Sequence, residues 1–109
     1  MSKLVLPPHP TLADIQKYTA EMVVERGFAD QIPLQTFLLL TEEVGELAKC
    51  IRKLHASMAI DSNKKYRLDT AGEIADIFIV LTCLANQLDI DIESAFRAKE
   101  EQNKQRVWH

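Results

Sequence analysis

Glycine is scarce in this 109-residue chain, three in all, and three of its four prolines (Pro7, Pro8, Pro10) crowd the first ten residues. Past Pro10 there is little to break a helix, and no alternating apolar–polar pattern marks a strand. Cysteine is limited to Cys50 and Cys83, with no CxxC or Cys/His cluster, so a thiolate metal centre is excluded and two buried free thiols are expected. Of the three histidines, His9, His55 and His109, none follows a glutamate by three residues, which excludes the Glu-x-x-His pattern of a helical di-iron site. No basic block exists and the net charge is −3, which argues against a nucleic-acid polymer as partner. The longest apolar run, Ile77–Ala85 with Thr82 inside it, is far short of the ~20 residues of a membrane span, and Met1–Pro10 lacks the apolar core of a signal peptide. The expectation is one soluble, cytoplasmic domain over 1–109, without membrane contact.

Four helices can be read. The first runs from Leu12 to about Arg26, with Thr11 as N-cap, Gly27 as its stop, and Ile15, Tyr18, Met22 and Val23 as its apolar positions. Pro33 suits the first turn of a second helix, which carries Phe37, Leu40, Val44, Leu47 and Ile51 to about Leu54. A third runs from Thr70 or Ala71 to about Leu88, and a fourth from Asp91, a good N-cap, to about Arg106. Residues 1–10 read as an extended arm and 55–68 as a loop. The third helix is apolar almost all round between Ile77 and Ala85, so it needs cover on every side. Three other short helices can hardly supply it. The fold class expected is all-α, a four-helix bundle completed by homodimerisation, with a dimer of dimers as the larger alternative.

What the chain does have is carboxylate. Glu43-x-x-Glu46, with Glu42 beside it, and Glu73-x-x-Asp76 each place two acids on one helix face. Around Glu43 stand Leu39, Leu40 and Leu47, and around Asp76 stand Gly72, Ile79 and Val80, so no local cation neutralises either. Two unit charges about 5 Å apart repel by about 3 kcal/mol at an effective dielectric of about 20. Four such groups on facing helices need a multivalent cation or must take up protons. Oxygen ligands without Cys or His suit Mg²⁺ or Mn²⁺. The alternative, a solvated face of intermixed charges, describes the fourth helix well (Arg97, Lys99, Glu100, Glu101, Lys104, Arg106) and these acids poorly. Thr70-x-x-Glu73 also fits a capping box, which gives Glu73 a competing structural job.

The double motif, Glu42-Glu43-x-x-Glu46 followed after 26 residues by Glu73-x-x-Asp76, resembles the EExxE…ExxD signature of MazG-like nucleotide pyrophosphohydrolases, all-α NTP pyrophosphatases. The wording of residues 34–54 and 69–108 is similar to that of the small single-domain members, including the dCTP pyrophosphatase type. The resemblance implies Mg²⁺-dependent hydrolysis of a (deoxy)nucleoside triphosphate to the monophosphate and pyrophosphate, a housecleaning activity, with Glu43, Glu46, Glu73 and Asp76 as metal ligands. It implies a role for Glu42 in orienting or deprotonating the attacking water, with a ligand role as its alternative. It matches Lys99, Asn103 and Arg106, one stripe of the fourth helix at i, i+4 and i+7, to phosphate-holding positions. Phe28 falls where a base-stacking aromatic is found in the dCTP-type members, and could equally pack under the first helix. Lys53 departs from an aromatic of that subgroup. Phosphoribosyl-ATP or dUTP hydrolysis, or a helical interaction module without turnover, are the other readings.

Overall fold

The computed structural model describes residues 1–55 and 69–108. These form four helices, α1 (Leu12–Glu25), α2 (Pro33–His55), α3 (Thr70–Gln87) and α4 (Ile92–Lys104), and no strand occurs among the described residues. The loop expected over 55–68 lies, beyond the helical backbone of His55, outside the described residues. Residues 1–10 contain no helix, and Val5 and Pro7 line a cleft with Tyr18 and Glu21 of α1.

Local signals account for the helix ends. Thr11 and Asp14 form a reciprocal capping box at α1, each side chain accepting from the other's backbone N–H at 3.0 Å. At its far end Phe28 N–H bonds Val23 C=O at 2.8 Å and Gly27 N–H bonds Val24 C=O at 3.2 Å, with Gly27 at φ +81°. This is a Schellman stop, and its left-handed position is the one only glycine takes without strain. At α2, Pro33 occupies the first turn while Gln35 accepts from the Ile32 N–H at 3.0 Å. At α3 the N-cap is Asp69, whose carboxylate accepts from Gly72 N–H at 2.9 Å, and not Thr70. The expected Thr70–Glu73 capping box is therefore absent, because Thr70 is already helical. Its hydroxyl instead meets the Cys50 thiol of α2 at 3.0 Å.

The closest packing is α2 on α3, with α1 lying across α3. The buried apolar side chains among the described residues are Met22, Cys50 and Ala85, a small set, and four polar ones, Gln16, Thr19, Thr36 and Thr82, are buried with them. So α1 turns Gln16, Thr19 and Met22 inward, rather than the wholly apolar stripe its sequence suggested, and Ile15, Tyr18 and Val23 are only half-buried. Much apolar surface stays open: Ile74, Phe78 and Leu81 on α3 and Leu88 at its C-cap, Phe37, Leu38, Val44 and Ile51 on α2. The chain turns by 96° between α3 and α4, so α4 does not fold back along α3. An apolar groove of about 450 Å³ remains between them, lined by Phe78, Leu81, Leu88, Ile92 and Phe96 among others. The radius of gyration is 17.2 Å, against about 13 Å for a compact chain of this length. No single helix among the described residues is long and apolar enough to cross a membrane.

Candidate functional site

Glu43 leaves α2 opposite Glu73 and Asp76 of α3, and one carboxylate oxygen from each lies within 4.8 Å of the others. The Thr70–Cys50 contact ties the two helices one turn before Glu73. Capping by Asp69 leaves the Glu73 carboxylate uninvolved in ending the helix. Gly72 makes that cap possible, since a Cβ there would collide with the Asp69 carboxylate.

The cluster is electrostatically uncomfortable. Burial, and then the charges of Asp76, Glu73, Glu46 and Glu42, push the Glu43 carboxyl above its ordinary range. Three converging carboxylates with no cation inside the group answer this by binding a proton or a metal ion. Their donors are all hard oxygens, with no thiol or imidazole among them, a set that fits Mg²⁺ or Mn²⁺ and not Zn²⁺ or Cu.

The other expected residues are dispersed. Glu46 lies one turn from Glu43 and outside the group, its carboxylate 4.0 Å from the Lys49 ammonium. Glu42 is exposed and adds to the negative field at Glu43. Lys99 and Asn103 line the far edge of the α3–α4 groove, where the Asn103 Oδ1 is buried without a hydrogen-bond partner among the described residues. The fourth helix ends at Lys104, not at Arg106, so Arg106 lies past the helix and off the expected stripe with Lys99 and Asn103. It stacks 4.9 Å from the Trp108 ring, and the Trp108 indole N–H donates to the Asn103 carbonyl at 3.3 Å. Phe28, half exposed, lines a cavity of about 180 Å³ with Met22, Arg26, Leu39, Val80 and Cys83. Leu39 is one helical turn before Glu43, and Val80 one turn after Asp76, so this cavity continues the α2–α3 seam away from the carboxylates. Burial raises the Cys83 thiol and Arg26 partly offsets the effect, which keeps it a thiol at neutral pH.

Arg26 and Gln31 are sequence neighbours of Phe28, but sequence reading did not find Cys83 beside them, because nothing in its spacing marks it. Cys83 joins them only when the end of α1 crosses α3.

The model of the MazG nucleotide pyrophosphohydrolase domain matches residues 31–109. The chain belongs to this family. The MazG match spans α2, α3 and α4 and all five acids, and leaves α1 outside it. Among curated relatives, dCTP pyrophosphatase 1 of Rattus norvegicus is 34% identical over 102 residues, 91% of this chain and 60% of that protein. The chain thus spans about 60% of the length of that relative. Among solved structures, YpjD of Bacillus subtilis superposes with a TM-score of 0.77 at 31% identity, over 93% of this chain and all of that one. A MazG protein conserved in Bacillus, described as a nucleotide pyrophosphohydrolase, gives 0.72 at 26%, over 93% of this chain and 97% of that one.

Proposed function

We propose that this MazG domain is a divalent-metal-dependent pyrophosphohydrolase that cleaves (deoxy)nucleoside triphosphates to monophosphate and pyrophosphate in the cytoplasm, clearing the nucleotide pool. The observation that carries this reading is the convergence of Glu43, Glu73 and Asp76 from two helices in a chain of this family. Glu43, Glu73 and Asp76 would hold Mg²⁺, with Glu46 joining them if its side chain leaves Lys49. When bound, that ion offsets phosphate charge, polarises phosphorus and lowers the pKa of a water. Glu42, exposed beside Glu43, orients that water or takes its proton. Lys99, Asn103 and Arg106 hold phosphate oxygens, the lysine as a point charge and the arginine as a fork. Phe28 stacks on the base at the mouth of its cavity. That cavity, about 180 Å³, has room for a base, and the dCTP pyrophosphatase relatives favour a pyrimidine such as cytosine.

The unit that works is a homodimer, or a pair of dimers. The open apolar faces of α2 and α3, the unfilled α3–α4 groove and the extended chain all support a second copy as their cover.

The test is pyrophosphate release from a panel of canonical and modified NTPs and dNTPs, with Mg²⁺ and with EDTA. Mg²⁺-dependent pyrophosphate, highest for a cytidine or other pyrimidine nucleotide, is the expected result. Silence from a folded protein would refute the reading and turn attention to phosphoribosyl-ATP or to a non-catalytic helical module; release confined to dUTP would keep the chemistry and narrow the substrate to a uracil nucleotide.

A further inference from the structure

The direction in which α4 leaves α3 is held by an amide that belongs to neither helix. Gln16 of α1 is 9% exposed, and its carboxamide is fully engaged. Its Oε1 accepts from the Ile92 N–H at 2.8 Å, and its Nε2 donates to the Ile90 carbonyl and to Asn86 Oδ1, each at 2.9 Å. Asn86 of α3 replies, donating to the Gln16 carbonyl at 2.9 Å and to Thr19 Oγ1 at 3.2 Å. Ile90 and Ile92 flank Asp91, the N-cap of α4, so the amide pairs with the corner backbone as a neighbouring strand would. The backbone also dictates the orientation, since an N–H demands the oxygen and a carbonyl demands the NH₂. Glutamate would lose the donor and methionine both groups, while asparagine is one methylene too short.

This corner matters because α4 has little else to fix it. The helix has no buried residue, turns 96° from α3 and, among the described helices, packs mainly on α1. From Ile92 to Asn103 the helix rises about 16 Å, so a tilt of about 10° at the corner displaces Asn103 by about 3 Å. Displacements of even 1 Å weaken a positioned contact severely. We infer that Gln16 is a positioning residue, which through Ile90 and Ile92 sets where Lys99 and Asn103 of α4, and Arg106 just past its end, meet the triphosphate. The inference rests on the functional reading above and goes beyond it, since α1 lies outside the residues matched by the MazG family model.

The experiment compares Q16M, K99A and the double variant by KM and kcat for the best nucleotide, and adds hydrogen exchange of the full chain. The expected result for Q16M is a KM raised tenfold or more, kcat within about threefold of wild type, and faster exchange in the first turn of α4, with α2 unchanged. In the K99A background Q16M should raise KM by a smaller factor than it does in the wild-type chain, because one of the contacts it positions is already gone. A raised KM in K99A beside an unchanged KM in Q16M overturns the inference alone. Multiplying effects in the double variant also overturn it, since they place Gln16 outside the action of α4. A wild-type KM in K99A removes the phosphate role of Lys99 and overturns the inference with it, and no pyrophosphate from the wild-type chain overturns the functional reading as well. Should Q16M not fold, Q16E keeps the acceptor and loses the donor, and the same outcomes apply.

Discussion

Glu43 is the residue at which charge, burial and position meet. A carboxyl whose folded-state pKa stands above its ordinary 4.5 takes up a proton on folding wherever the pH lies between the two values. The unfolded chain binds fewer protons there, so the stability of the metal-free protein falls as pH rises from 4.5 through the raised pKa. Thermal midpoints in EDTA at stepped pH should show that decline, and E43Q should flatten it. Adding Mg²⁺ should raise the wild-type midpoint by mass action, most at the higher pH, and should leave E43Q unmoved. An E43Q midpoint that still responds to Mg²⁺ would place the metal elsewhere. Gly72 makes a second residue-scale case. A methyl group there displaces the Asp69 carboxylate from the first turn of α3. G72A should lose a cap worth about 1 kcal/mol against a gain of about 0.5–1 kcal/mol from alanine in the helix, and so change stability little. In D69A, whose cap is already lost, only the gain should remain, and denaturant melts should show the same change stabilising.

Among elements, the two Schellman stops make a controlled comparison. α1 ends through Gly27 at φ +81°, while α3 ends through Asp89 at φ +55°, with Ile90 N–H returning to Ala85 C=O at 2.9 Å. An L-residue in the left-handed region is strained, aspartate less than most. D89G should therefore stabilise by up to about 1 kcal/mol, and G27A should destabilise by about the same amount, both read by urea unfolding. Helix ends of this kind were legible in the sequence, because Thr11, Gly27, Pro33 and Asp91 act on backbone within a few residues of themselves. The cap of α3 was misread by one residue, because Asp69 and Thr70 are both good caps and only the fold shows which one is spent on Cys50. The inward face of α1 was misread for a different reason. Gln16 and Thr19 are buried because the α3–α4 corner offers them hydrogen-bond partners about 70 residues away, and periodicity carries no trace of that. The same limit governs the site. Spacing of three puts Glu43 with Glu46, and Glu73 with Asp76, but the register of α2 on α3 decides that Glu43 joins the second pair while Glu46 leans to Lys49.

As a whole molecule the described chain is an open arrangement of helices, with three buried apolar side chains and long apolar faces left exposed. Such a core is too small to hold four helices alone. If a second copy covers the α3–α4 groove, L81E, which sets a charge in its apolar wall, should convert the dimer to a poorly folded monomer in analytical ultracentrifugation. A folded, monomeric wild-type protein at micromolar concentration would refute the pairing. The exposed faces carry a further consequence. Where folding and pairing are one event, the protein has no fixed melting temperature of its own. Each tenfold dilution then removes about 1.4 kcal/mol from the folded state, so the amount of this protein present would set how much of it is folded, and with it how much can turn over.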